Sequence, residues 1–159
     1  MIKKLLSISG VIVGLVIVLV FTGIGGKIGK EVGQAAFSSS SSMEKELTAA
    51  LAIAAKQINE SAPTMVDEET RMDGASVGPA ATITYHLTIL NYSSSDIDSG
   101  LIRSDIFPSV KSGVCSNEDM KTSLQYGAKY TYSYSGKNGG FIGKFTIDRN
   151  DCGISARSS

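Results

Sequence analysis

Asp67, Glu68, Glu69 and Asp73 crowd around Arg71 in the run SAPTMVDEETRMDGASVGP, the most distinctive stretch of the chain. Carboxylates gathered this way invite two chemistries. Asp67, Glu69 and Asp73 offer the hard oxygen ligands that suit Ca²⁺, and a convergent carboxylate pair can cleave a glycoside unaided. Their spacing matches no calcium loop. The simpler expectation is that Arg71 pairs with Asp67 or Asp73 and fixes the segment, leaving Asp67, Glu69, Arg71 and Asp73 as an interaction surface. A second acidic run, DIDSG from Asp96, starts like an EF-hand loop, but its twelfth position is Phe107 where a glutamate is needed. Helix capping accounts for it better, with Ser95 and Asp98 at capping-box spacing.

His86 is the single histidine, flanked by threonines, so a multi-histidine zinc site is excluded. No Gly-rich phosphate loop, GxSxG, HExxH or CxxC is present, and no histidine stands free to activate a nucleophile. The sequence therefore points away from an enzyme and from a bound metal or cofactor. Tyr130, Tyr132 and Tyr134 alternate along one strand face. Such a stripe either packs as core or serves as a recognition surface for a peptide or glycan.

Cys115 and Cys152 are the only cysteines. An even count in an exported domain reads as one disulfide.

The element that governs placement is residues 5–26, LLSISGVIVGLVIVLVFTGIGG, without a charge. As a helix it spans roughly 33 Å at ~1.5 Å per residue, about the thickness of a bilayer core. Lys3 and Lys4 precede it as a basic n-region. The run exceeds a secretory h-region, and the nearest good small residues for a cleavage site, Ala35 and Ala36, lie ten residues beyond it. The expectation is an uncleaved signal anchor in a bacterial inner membrane. Residues 1–4 are then cytoplasmic, residues 27–42 form a Gly/Ser-rich linker, residues 43–153 a periplasmic domain and residues 154–159 a disordered tail. Cleavage is the alternative, and it leaves a soluble periplasmic domain that binds a ligand or inhibits an enzyme. Gly10 and Gly14, then Gly25, Gly29 and Gly33, put small residues four apart, a pattern for self-association or docking on a partner's helix.

Charge excludes one class of partner. Residues 1–36 carry four basic side chains (Lys3, Lys4, Lys27, Lys30) and one acidic (Glu31), leaving 11 basic against 14 acidic in the remainder. A mildly acidic domain without a basic cluster is a poor nucleic-acid binder. The partners expected are the lipid bilayer and another envelope protein.

The elements follow from periodicity. MEKELTAALAIAAKQINE predicts a helix from Met43, capped by Ser41 with Glu44, with a stripe of Leu47, Leu51, Ala54 and Ile58 and a stop before Pro63. Thr70–Met72 reads as a short strand, and Gly74–Pro79 as a turn into ATITYHLTILNY. There Ile83, Tyr85, Leu87 and Ile89 share one face and Thr82, Thr84, His86 and Thr88 the other. Leu101, Ile102, Ile106 and Val110 mark a helix that Pro108 kinks and Gly113 ends. Ser116 with Asp119 opens a third helix to about Gln125, with Gly127 as its C-terminal cap. Residues 128–135 and 140–148 form a hairpin about Gly136-Lys137-Asn138-Gly139, with Phe141, Phe145 and Ile147 on one face.

PTMVDEETRMD followed by GP, TITYHLTILNY, a cysteine, GAKYTYSYSGKNGGFIGKFTI and a closing DC resembles a group of small bacterial exported or membrane-anchored domains with no assigned activity. The resemblance covers about residues 45–153 and implies an architecture and a compartment, with no catalytic residues to carry over. The expected fold is α+β: a small antiparallel sheet of three or four strands with about three helices packed on it, preceded by one transmembrane helix. The expected function is non-catalytic, a single-pass protein presenting a periplasmic recognition and assembly domain to another envelope protein.

Overall fold

The structure, a computed structural model, describes residues 40–155. The apolar run 5–26, its glycines Gly10, Gly14, Gly25, Gly29 and Gly33, and most of the linker lie outside the described residues. Among the described residues no helix is long and apolar enough to cross a membrane.

Five strands form one sheet in the order β1 (Thr64–Met65), β2 (Thr70–Gly78), β3 (Thr82–Ile89), β4 (Lys129–Gly136), β5 (Phe141–Ile147). Three helices accompany it: α1 (Ser40–Ser61), α2 (Phe107–Ser116) and α3 (Glu118–Gln125). The α+β class is as expected, but the sheet has five strands rather than three or four. It is also mixed rather than antiparallel, because β3 and β4 run parallel, Ile83 opposite Tyr130 and Leu87 opposite Tyr134. A parallel pair needs a long crossover, and here both shorter helices lie in it.

α1 covers Ser40–Ser61, so Ser40, Ser41 and Ser42, expected to be linker, belong to the helix, and Ser41 is not its cap. Leu47, Leu51, Ala54 and Ile58 are buried as the stripe required, and the helix packs over β2 and β3. It ends at Ser61, ahead of a cis Ala62–Pro63 bond.

β2 departs most from expectation. It does not stop at Met72 but continues through Gly74 to Gly78, with a bulge between Met72 and Gly74. The turn falls later, where Ala80 and Ala81 adopt left-handed φ values of 53° and 50°. β3 keeps its alternation, with Ile83, Tyr85, Leu87 and Ile89 buried and His86 exposed.

Caps in the crossover are shifted. Ser93 N–H donates to Asp96 (2.9 Å) and Gly100 N–H to Asp98 (2.8 Å), so the Ser95–Asp98 box does not form. A π turn, Ile102–Ile106, precedes α2 and delivers Pro108 to its start. There the missing N–H of proline costs nothing. Gly113 does not end α2, which runs to Ser116, so Cys115 lies within the helix. Asn117 rather than Ser116 caps α3, its side chain accepting from Met120 N–H at 2.9 Å. Gly127 follows α3 with φ 101°, the left-handed stop expected of it.

The β4–β5 hairpin forms as expected, but a register shift at Tyr134/Ser135 turns Phe141 outward, 60% exposed, while Phe145 and Ile147 stay buried. Gly136 has no room for a Cβ, since one would lie 2.7 Å from the Ser93 carbonyl carbon. The Cys115–Cys152 disulfide is present, with Cα atoms 5.3 Å apart. It ties the turn after β5 to α2. Ile154 packs on the core and its N–H donates to Arg149 O, so the ordered chain extends into the expected tail.

Candidate functional site

The acidic segment is committed to the fold. Asp67 Oδ1 accepts the N–H groups of Glu69 (2.8 Å) and Thr70 (2.7 Å), closing the turn between β1 and β2. Glu69 accepts from the Asn91 amide at 3.0 Å. Arg71 pairs with Asp73, whose other oxygen accepts from the Thr88 hydroxyl. Asp67, Glu69 and the Arg71–Asp73 pair are thus drawn to separate partners rather than converging on one point. No group of three His, Cys, Asp or Glu side chains able to hold a metal ion occurs among the described residues. His86 Nε2 and Ser76 Oγ are 2.9 Å apart on the polar sheet face.

Tyr130, Tyr132 and Tyr134 are not a recognition stripe: each is buried, Tyr132 completely. Tyr132 stacks on Phe145 with ring centroids 5.4 Å apart and leans on Tyr85 at 5.1 Å. Burial pushes the Tyr130 phenol up to about 12, partly offset by its hydrogen bond with Ser123 (2.6 Å). Burial likewise raises Tyr132 and Tyr134, the latter also through the negative charge of Asp67. The hydroxyls of Tyr132 and Tyr134 have no hydrogen-bond partner among the described residues. These side chains fill the core.

Two surfaces remain. The first is the polar sheet face, where Met65, Arg71, Thr88, Ser135 and Phe141 form one cross-strand row. Its two ends are exposed apolar side chains, Met65 (47%) and Phe141.

The second is a groove of about 530 Å³ between α1 and β2. Ala52, Ala55 and Ala75 line it with small side chains, Val77 closes one side, and Lys56 and Glu60 stand at the rim. That rim pair is exposed, with the charges 3.9 Å apart. The groove runs along the edge of β2, which among the described residues is paired with a further strand only in part. β1 covers β2 only at Arg71 and Met72. Beyond it, the Asn59 side chain of α1 takes the place of a strand: Ala75 N–H donates to Oδ1 (2.7 Å) and Nδ2 donates to Ala75 O (2.9 Å). Ala75 therefore points both peptide groups away from β3. Outward groups recur every second residue of an antiparallel strand, so Val77, which also lines the groove, turns its peptide groups outward in the same way. Gly74 makes the arrangement possible. Its φ is 151°, and a Cβ there would lie 2.6 Å from Asn59 Oδ1.

Sequence reasoning did not find this site. Asn59 reads as an ordinary polar residue near a helix end, and its partner lies 16 residues away in a stretch that resembles a turn.

The fold is shared with proteins of bacterial secretion. A Pseudomonas aeruginosa protein assigned as secreted superposes with a TM-score of 0.60 at 22% identity, over 69% of this chain and 96% of its own. The type II secretion system pilotin AspS from Vibrio cholerae gives 0.56 at 13% identity, over 70% and 97%. EpsS, the type 2 secretion system pilotin of Vibrio vulnificus, gives 0.59 at 12% identity, over 70% and 96%. No protein-family model matches the chain, and no curated protein sequence matches it.

Proposed function

We propose that this chain is a non-catalytic envelope protein whose folded domain holds a segment of another envelope protein in the groove between α1 and β2. The observation that carries the reading is the groove itself: small side chains, opposite charges at the rim and a strand edge that, among the described residues, no strand pairs with beyond β1. This is a surface suited to polypeptide rather than to a small reacting molecule. The pilotin fold of the Vibrio neighbours supports an assembly role. The disulfide supports an oxidising compartment. Residues 5–26 anchor the domain in the inner membrane as a single span, with the domain in the periplasm, and its partner is therefore reached at the membrane surface.

A native mass spectrum of the chain extracted from its own membranes in mild detergent tests this. The expected ion is the full-length chain with a second protein bound, and Ala52→Arg removes that protein. A bare chain contradicts the reading, and one lacking about 25–36 residues removes the anchor as well.

A further inference from the structure

We infer that the groove takes its partner as an added β-strand on the open edge of β2, with the Asn59 amide as a placeholder that the incoming backbone displaces. The inference rests on the groove being the partner site, and it specifies the form of the partner there.

A side-chain amide carries the same donor and acceptor as a peptide group. At Ala75 it occupies both outward positions, N–H to Oδ1 and O to Nδ2. A peptide unit of an adjacent strand makes the same pair of bonds. One step further along the edge, the alternation turns the Val77 N–H and C=O outward as well, and no such surrogate meets them among the described residues. A segment in extended conformation satisfies Ala75 and Val77 together, whereas a helix cannot, because its backbone groups are consumed internally. Strand addition of this kind takes affinity from main-chain hydrogen bonds and selectivity from pockets for alternate side chains. The pocket here is lined by Ala52 and Ala55, which leave room for an apolar side chain of the partner between the helix and the sheet. The Lys56–Glu60 pair offers one charge of each sign to polar residues flanking it. The occupant is thus a short extended polypeptide stretch with an apolar side chain central to the pocket and polar neighbours.

The probe is a phage-displayed library of random dodecapeptides panned on the full-length chain in mild-detergent micelles. Affinities of the enriched peptides are read by fluorescence polarisation, and protection of individual amides by hydrogen exchange. Ala52 is exposed on α1, so Ala52→Arg fills the groove without disturbing the core and lowers affinity by about tenfold or more. Asn59→Ala strengthens binding several-fold, because the peptide no longer has to displace two hydrogen bonds. Exchange of the Ala75 and Val77 amides slows when peptide binds.

Binding that Asn59→Ala weakens or leaves unchanged, with no added protection at Ala75 and Val77, overturns strand addition while keeping the groove as a site. Enriched peptides indifferent to Ala52→Arg, or no enriched peptides at all, overturn the groove reading too. Should Asn59→Ala melt far below the parent chain, amide protection in the parent decides the matter.

Discussion

Replacing Cys115 and Cys152 by alanine opens a loop closed across 37 residues. In the chain-entropy relation, a loop of that length contributes about 4 kcal/mol through the unfolded state. Domains of this size hold only about 5–15 kcal/mol in total, so reduction leaves a small margin. The position of the bond adds to its effect, because it fastens the turn after edge strand β5 to α2. Urea unfolding of the double variant, followed by circular dichroism, gives the measurement. With a slope of about 2 kcal/mol per molar urea, the midpoint falls by about 2 M, and the parent chain under reductant falls to match. A midpoint shift below about 0.5 M in both would refute the entropic reasoning.

Three further outcomes follow from the core. Tyr130→Phe loses the hydrogen bond with Ser123 and costs about 1 kcal/mol, whereas Tyr132→Phe removes a hydroxyl without a partner and is neutral or stabilising by up to about 1 kcal/mol; paired urea titrations distinguish them. Gly136→Ala drives a Cβ against the Ser93–Ser94 backbone and costs about 2–3 kcal/mol, seen as a lower melting temperature with the disulfide intact. In alkali the buried tyrosines stay neutral while the unfolded chain ionises at pH ~10. The stability linked to Tyr130 is therefore complete below pH ~10 and disappears as pH rises towards about 12. Tyrosinate absorbance of these residues should rise together with loss of circular dichroism. Ionisation without unfolding would contradict their burial.

Local patterns carried much of the fold. The Leu47–Ile58 stripe, the alternation along β3, the GKNG hairpin and the cysteine pairing are all set by neighbours within a few residues or by simple parity. What was not legible depends on distant partners. Gly74 in GASVGP has the composition of a turn, yet β3 holds it extended because its missing Cβ admits the Asn59 amide. The parallel pairing of β3 with β4 is decided by how the intervening helices pack, which no period in either strand records. Phe141 shares its parity with Phe145, and only the bulge opposite Tyr134 and Ser135 turns it outward. The tyrosines, expected either as core or as recognition stripe, became core because α1 and α2 cover that face together with Phe107 and Phe145. The acidic segment is dense in charge, but its Asp67, Glu69 and Asp73 carboxylates serve a turn and cross-strand bonds. The groove was carried by alanines, an asparagine and exposed main chain, residue types that announce no chemistry.

Site-specific photo-crosslinking in the protein's own cells tests the central claim most directly. A benzoylphenylalanine at Lys56, exposed at the rim of the groove, is expected to yield one discrete adduct with another envelope protein. The same group at Thr84, on the polar sheet face, is expected to yield none. An adduct from Thr84 but not Lys56, or equal labelling from both, would contradict the groove as the site where this domain meets its partner.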